Sequence, residues 1–297
     1  MANERDFQTF SNGVYDINKE NTKIKEGSII NSSSRDFKIL SVENNKDNGM
    51  QAMAVAPVDS NGEVDTSQIV IAYAGTDKNE ILDILTDDQQ VVRGIKDVLS
   101  VADVKINTML NSINEEVVEE QRESQLVTSE KFAEKIKEEY PYSDIDFTGH
   151  SLGGYMAIRA AIKNKSKATV FNAPDPANTL SKDEIKFALK NPGLIKNYRN
   201  PMDPIGNFGG NRLGTAIYVD SVIAHHGFPG SAIFDVYHAI ASWTNFDDDG
   251  NLVDKNGKVV QKVILEELDV ENDGKVDFKI NVENLYPEKL FSPKYVK

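Results

Sequence analysis

The chain has 297 residues, 39% of them hydrophobic and 27% charged, enough for one large domain or for a domain with a small appendage. Its net charge of −14 excludes recognition of a phosphate backbone, which needs a surplus of cations to release counterions, so no nucleic-acid partner is expected. There is no cysteine, which removes disulfide scaffolds, cysteine nucleophiles and thiolate metal sites.

In chain order, no apolar run approaches the roughly 18 residues a membrane-spanning helix needs. The N-terminus has neither a basic region nor an apolar one, so no signal peptide is visible. That leaves open residence in the cytoplasm, export by a route that needs no such peptide, or a leader already removed. The first 45 residues are polar, rich in Asn, Lys and Ser, and only weakly patterned. Two β-like runs, Ala52 to Val58 and Ile69 to Ala74, flank the turn signal Ser60-Asn61-Gly62 and read as an antiparallel pair. From about residue 80 to 125 apolar residues recur at three- and four-residue steps, the mark of amphipathic helix. A further helix is expected from about Thr128 to Glu139, capped by Ser129 and stopped by Pro141.

A short strand around Ile145 and Phe147 then runs into Gly149-His150-Ser151-Leu152-Gly153-Gly154, and a helix of small and apolar residues follows. More strands read at Ala168 to Asn172, Leu194 to Arg199 and Thr215 to Asp220. Strands alternating with helices imply an α/β fold, a mostly parallel sheet covered on both faces. After about Phe246, turn signals at Asp249-Gly250 and Asn256-Gly257 separate short β-like runs. The expected organisation is a catalytic domain over 1–246 and a small β-rich C-terminal appendage, or extra edge strands, over 247–297.

Gly-x-Ser-x-Gly between a strand and a helix sets a serine on a sharp turn at the carboxyl edge of a sheet. Ser151 is the expected nucleophile, and the N–H of Leu152, at the helix N-terminus, is an expected oxyanion donor. His150, whose side chain leaves the backbone in another direction, reads as packing beneath the turn. In an α/β-hydrolase the acid and then the base follow the serine in the chain. Asp203 in Asn200-Pro201-Met202-Asp203-Pro204 is the first candidate acid, and Asp175 in Ala173-Pro174-Asp175-Pro176 the alternative. Of four histidines three lie beyond the acid, His225, His226 and His238. His238 is the leading base, with His226 and then His225 as alternatives. Asp269, Glu271, Asp273 and Asp277 resemble half of a calcium loop, but Ile280 stands where its bidentate carboxylate belongs, so a solvated turn is favoured and neither metal nor cofactor is expected.

The string Gly149-His150-Ser151-Leu152-Gly153-Gly154, with Ala74-Gly75-Thr76-Asp77 some way upstream, resembles the fungal-type (class 3) lipase family of the α/β-hydrolase superfamily, and its bacterial lipase and phospholipase A1-like members. The resemblance covers roughly residues 50–245. It implies a second oxyanion donor at Thr76, an acid in the Asp203-Pro204 pair, a base in the segment around His238, and a lid-like role for residues 80–125, for which helices packed on the sheet are an equal reading. It also implies an acyl-lipid or other ester substrate, cleaved through an acyl-enzyme, and transient contact with a lipid interface; it names no protein partner. Tyr73-Ala74 before Gly75 and the tail after 246 depart from the family pattern. A thioesterase, peptidase or acyltransferase would use the same three residues, and a catalytically inactive hydrolase fold would serve as a binding module.

Overall fold

A computed structural model describes residues 2–32, 35–75, 124–201, 203, 205–207, 213–219, 237–243, 246–247, 249–253, 256–260, 262–268 and 277–283. The expected helical stretch of 80–125, all but its last two residues, lies outside the described residues, as do Thr76, His225, His226 and the acidic turn at 269–276.

Among the described residues ten strands form one sheet in sequential order. The first four, β1 (Ile29–Ser32), β2 (Arg35–Asn44), β3 (Gln51–Pro57) and β4 (Gln68–Tyr73), pair antiparallel. From β4 the sheet becomes parallel through β5 (Asp144–His150), β6 (Ala168–Phe171), β7 (Ile195–Arg199) and β8 (Thr215–Tyr218). It returns to antiparallel pairing at β9 (Lys262–Leu268) and β10 (Asp277–Glu283). The last two strands, beyond Phe246, are thus hydrogen-bonded into the main sheet. The Asn61-Gly62 turn lies between β3 and β4, with Gly62 at φ 83°, a left-handed conformation glycine adopts without steric cost. Gly250 and Gly257 do the same at 82° and 75°, in turns closed by the bridges Phe246 to Leu252 and Val253 to Val259.

The sheet is covered on both faces, and β3 and β4 show it most plainly, with apolar side chains from Ala52 to Val55 and from Ile69 to Tyr73 buried on both sides. Ala52, Ala54, Ile69, Ile71 and Tyr73 point to one core with Phe147 and Val170, while Met53, Val55, Val70, Ala72 and Ala74 point to a second with Phe171. Side chains of successive strand residues alternate sides, so a run such as Ile69–Ala74 must be buried twice over. The first core is closed by α2 (Gln125–Glu139), α3 (Leu152–Asn164) and α4 (Lys182–Lys190), and the second by α1 (Glu4–Gly13) and an aromatic group of Tyr198, Trp243 and Phe246. This mixed sheet, with a parallel centre and α3 springing from the end of β5, is the α/β-hydrolase fold.

Two elements depart from the sequence expectations. Helix α2 begins earlier than Thr128, because Ser124 rather than Ser129 caps it: the Ser124 side chain accepts the Val127 N–H, whereas Ser129 is inside the helix and bonds back to the Leu126 carbonyl. The second is α1, in a region read as weakly patterned. Its buried side includes Asp6, Gln8 and Ser11 beside Phe7 and Phe10, so the apolar period is interrupted by polar groups that find partners inside. Asn3 and Asp6 form a capping box, Ser32 Oγ donates to Asp6, and Ser11 meets Thr148 of β5 at 2.8 Å. Phe7, Phe10, Val14 and Ile17 still bury their side chains, worth roughly 1.5–3 kcal/mol each. Among the described residues no helix is long and apolar enough to cross a membrane.

Candidate active site

Ser151 sits between β5 and α3 with φ 57° and ψ −127°. A non-glycine residue there carries strain of order 1–3 kcal/mol, which persists only where surroundings over-determine it. Here they do. The Ser151 N–H bonds the Phe171 carbonyl on β6 at 3.1 Å, and its own carbonyl accepts the Tyr155 N–H at 3.0 Å to start α3. The glycines around it are required by contact. A Cβ on Gly149 would enter the backbone of Gly153, and a Cβ on Gly153 would enter the end of β4 at Tyr73 and Ala74. Leu152 is the first residue of α3, so its N–H is among the helix donors with no acceptor inside the helix.

The structure brings His238 and Asp203 to this serine. Ser151 Oγ lies 2.8 Å from His238 Nε2, and His238 Nδ1 lies 2.8 Å from Asp203 Oδ2. With the aspartate as acceptor, Nδ1 carries the ring proton and Nε2 is the basic nitrogen that accepts the serine O–H. All three are buried, Asp203 at 1% exposure. The second oxygen of Asp203 accepts the Ile205 N–H at 3.0 Å, and Asn207 Nδ2 donates to the carbonyls of Asp203 and Asn200. Gly206 leaves room for this carboxylate, because a Cβ there would lie 2.6 Å from Asp203 Oδ2. The other candidate acid, Asp175, caps a local turn, its Oδ1 accepting the Ala177 N–H at 2.8 Å.

Three residues hold this arrangement that the sequence did not mark. Asn172, at φ 47° just past β6, donates to the Tyr237 and His238 carbonyls at 2.8 and 3.1 Å while its Oδ1 accepts the Asn200 N–H. It therefore ties the serine's neighbouring strand to the loops that carry Asp203 and His238. His150 is more than packing. Its Nε2 meets the His238 carbonyl at 2.5 Å and its Nδ1 meets the Tyr15 hydroxyl at 2.9 Å. Burial, and next the nearby His238, lower its pKa to about 3, so the ring is neutral and carries one proton. A carbonyl can only accept, so that proton is on Nε2, and Tyr15 must donate to Nδ1. The Tyr15 oxygen in turn accepts the Gly75 N–H at 3.0 Å. The end of β4 also passes beside Ser151, since a Cβ on Gly75 would lie 3.2 Å from Ser151 Cβ. Among the described residues no group of His, Asp and Glu could hold a metal ion.

Fold and strand-to-helix serine turn together define a hydrolase of the α/β type. Residues 70–177, from β4 through the serine turn to the loop after β6, match the family described as lipase (class 3). That segment, about a third of the chain, is what likens it to the class 3 lipases. Among solved structures it is similar to a mutant form of MDLA from Penicillium cyclopium, with 13% identity over 77% of this chain and 80% of that one and a TM-score of 0.41. It is also similar to Rhizomucor miehei lipase in its propeptide complex, at 15% identity over 72% and 66% of the two chains and a TM-score of 0.40. A triacylglycerol lipase from Penicillium expansum gives 15%, 72% and 77%, and 0.40. No curated protein matches the chain.

Proposed function

We propose that this protein is a serine carboxylic-ester hydrolase that cleaves acyl esters of lipids, as a lipase or phospholipase A1-like enzyme, through an acyl-enzyme. The observation that carries the reading is the continuous line from Ser151 Oγ to His238 Nε2 and from His238 Nδ1 to Asp203, at 2.8 Å each, ending on a serine held at positive φ. Ser151 Oγ attacks the ester carbonyl as its proton passes to His238 Nε2. Asp203 holds the ring in the accepting tautomer and stabilises the imidazolium that forms. The Leu152 N–H, with Thr76 by family likeness, donates to the oxyanion, each such donor being worth about 2.7–4 kcal/mol. Collapse of the tetrahedral adduct expels the alcohol, which takes the proton from His238, and leaves the acyl group on Ser151. A water that gives its proton to His238 then releases the fatty acid. The unit that does this is read as residues 1–246, with 247–297 adding edge strands.

The test sets purified protein and its Ser151→Ala variant against defined triglycerides, phospholipids and thioesters, with products identified by mass. The reading expects free fatty acid and the matching lyso or diacyl product from at least one oxygen ester, and none from the variant. Equal release by both proteins would refute it. Cleavage confined to thioesters or peptides would leave the serine chemistry and replace the substrate class.

A further inference from the structure

Helix α1 and strand β5 run side by side in matching steps. Two α-helical steps followed by two of 3-10 helix rise about 7 Å, close to the roughly 6.6 Å spanned by two strand residues. Ser11 meets Thr148 at 2.8 Å, and four residues on from Ser11, two on from Thr148, Tyr15 meets His150 at 2.9 Å. The step is fixed further by Thr148 Oγ1, which donates to the Thr169 carbonyl of β6 at 2.7 Å. Tyr15 stands at the end of this ladder, in the short turn of 3-10 helix that follows α1.

From Tyr15 a one-way relay of hydrogen bonds crosses beneath the nucleophile. The Gly75 N–H donates to the Tyr15 oxygen, Tyr15 O–H donates to His150 Nδ1, and His150 Nε2–H donates to the His238 carbonyl. His150 is joined covalently to Ser151, so the nucleophile and the base are linked twice: once through Ser151 Oγ and His238 Nε2, and once through the neighbouring ring and the base's own carbonyl. The same hydroxyl pins the end of β4 beside Ser151. A Cβ on Gly75 would lie 2.5 Å from the Tyr15 oxygen, so only glycine admits the hydroxyl there.

We propose that Tyr15 is a positioning residue of the ester-cleaving reaction: acting through His150 and the Gly75 N–H, it sets where His238 and the end of β4 stand relative to Ser151. The proposal rests on the reading of Ser151 and His238 as nucleophile and base. Tyr15 touches no reacting atom. Its effect is on the alignment of the serine-to-imidazole proton transfer, which belongs to the turnover step rather than to substrate capture.

The test follows the rate at which a fluorophosphonate probe modifies Ser151, a reaction that needs the activated serine but no lipid recognition, together with kcat and KM on a soluble ester. Tyr15→Phe should slow modification and kcat about tenfold, the weight of one well-placed hydrogen bond, and leave KM within about twofold. His150→Phe reads the same link from its other end and should lose at least as much. Adding Tyr15→Phe to it should then cost little more, since a broken relay cannot be broken twice. Tyr142→Phe, on a side chain 97% exposed, controls for the substitution itself. Melting temperatures accompany each variant. A Tyr15→Phe protein that modifies Ser151 at the wild-type rate would overturn the inference and leave the hydrolase reading standing, as would losses that multiply in the double variant or a rise in KM alone. A wild-type protein that takes no probe at Ser151 would overturn both.

Discussion

Acidification should weaken this fold through His150 in a way that can be isolated. Its ring is 5% exposed, and burial holds its pKa at about 3 against an ordinary 6.5. Between those two values the unfolded chain binds a proton that the folded chain refuses, so stability rises with pH across the window. The contribution is fully present above about pH 6.5 and is lost as pH falls toward about 3. One proton corresponds to about 1.4 kcal/mol per pH unit, so going from pH 6.5 to 4.5 removes about 2 kcal/mol once partial titration near 6.5 is allowed for. Other groups titrate in the same range, which makes the useful quantity a difference. Urea unfolding of the wild type and of His150→Gln should be compared at pH 6.5, 5.5 and 4.5. The stability gap between them should move by about 2 kcal/mol in favour of the variant at the acid end. A gap that stays constant with pH would refute the claim that His150 is held neutral in the folded protein. The neutrality matters to the reaction as well. The rings of His150 and His238 are 4.8 Å apart, and a charge on the first would oppose an imidazolium on the second by about 3 kcal/mol at an effective dielectric constant of about 20.

Asp203→Asn should leave folding nearly unchanged, with a melting temperature close to the wild type, and lower kcat on a soluble ester by a factor on the order of 10³–10⁴, because the amide no longer selects the accepting tautomer of His238. Gly206→Ala, whose new Cβ would sit 2.6 Å from Asp203 Oδ2 and 2.9 Å from Asn172 Cα, should lower kcat far more than it lowers the melting temperature, since the carboxylate must shift off His238; steady-state kinetics beside a thermal melt reads both. Asp6→Ala removes the capping box of α1 and the partner of Ser32 together, and should cost about 2 kcal/mol in urea unfolding, with no change of KM in the folded protein.

The centre of the sheet was legible because its physics is local. Uninterrupted apolar runs such as Ile69–Ala74 can only be strands buried on two faces, and a serine between tight-packing glycines announces a strand-to-helix turn. Chain order pointed to loops carrying Asp203 and His238, and the structure brings both to Ser151. The N-terminal 45 residues were opaque for the opposite reason. The buried side of α1 is half polar, and Asp6, Ser11 and Asn3 make sense only beside Ser32, Thr148 and each other, partners that no period along the sequence reveals. Tyr15, His150 and Asn172 were hidden likewise. Each acts through where its side chain points, across 135 residues in the case of Tyr15 and His150 and 66 in the case of Asn172 and the His238 carbonyl. His150 did carry one signal, its place beside the nucleophile, which was read as packing because sequence gives adjacency and not direction.

The most direct measurement is capture of the acyl-enzyme. The protein is mixed with an excess of an activated short-chain ester, quenched in acid within the first turnovers, digested, and mapped by mass. The account predicts one added acyl group on the peptide that contains Ser151, appearing with the first burst of alcohol and absent from Ser151→Ala. Turnover of the ester with no acyl group on that peptide, or with the group on another residue, would contradict it.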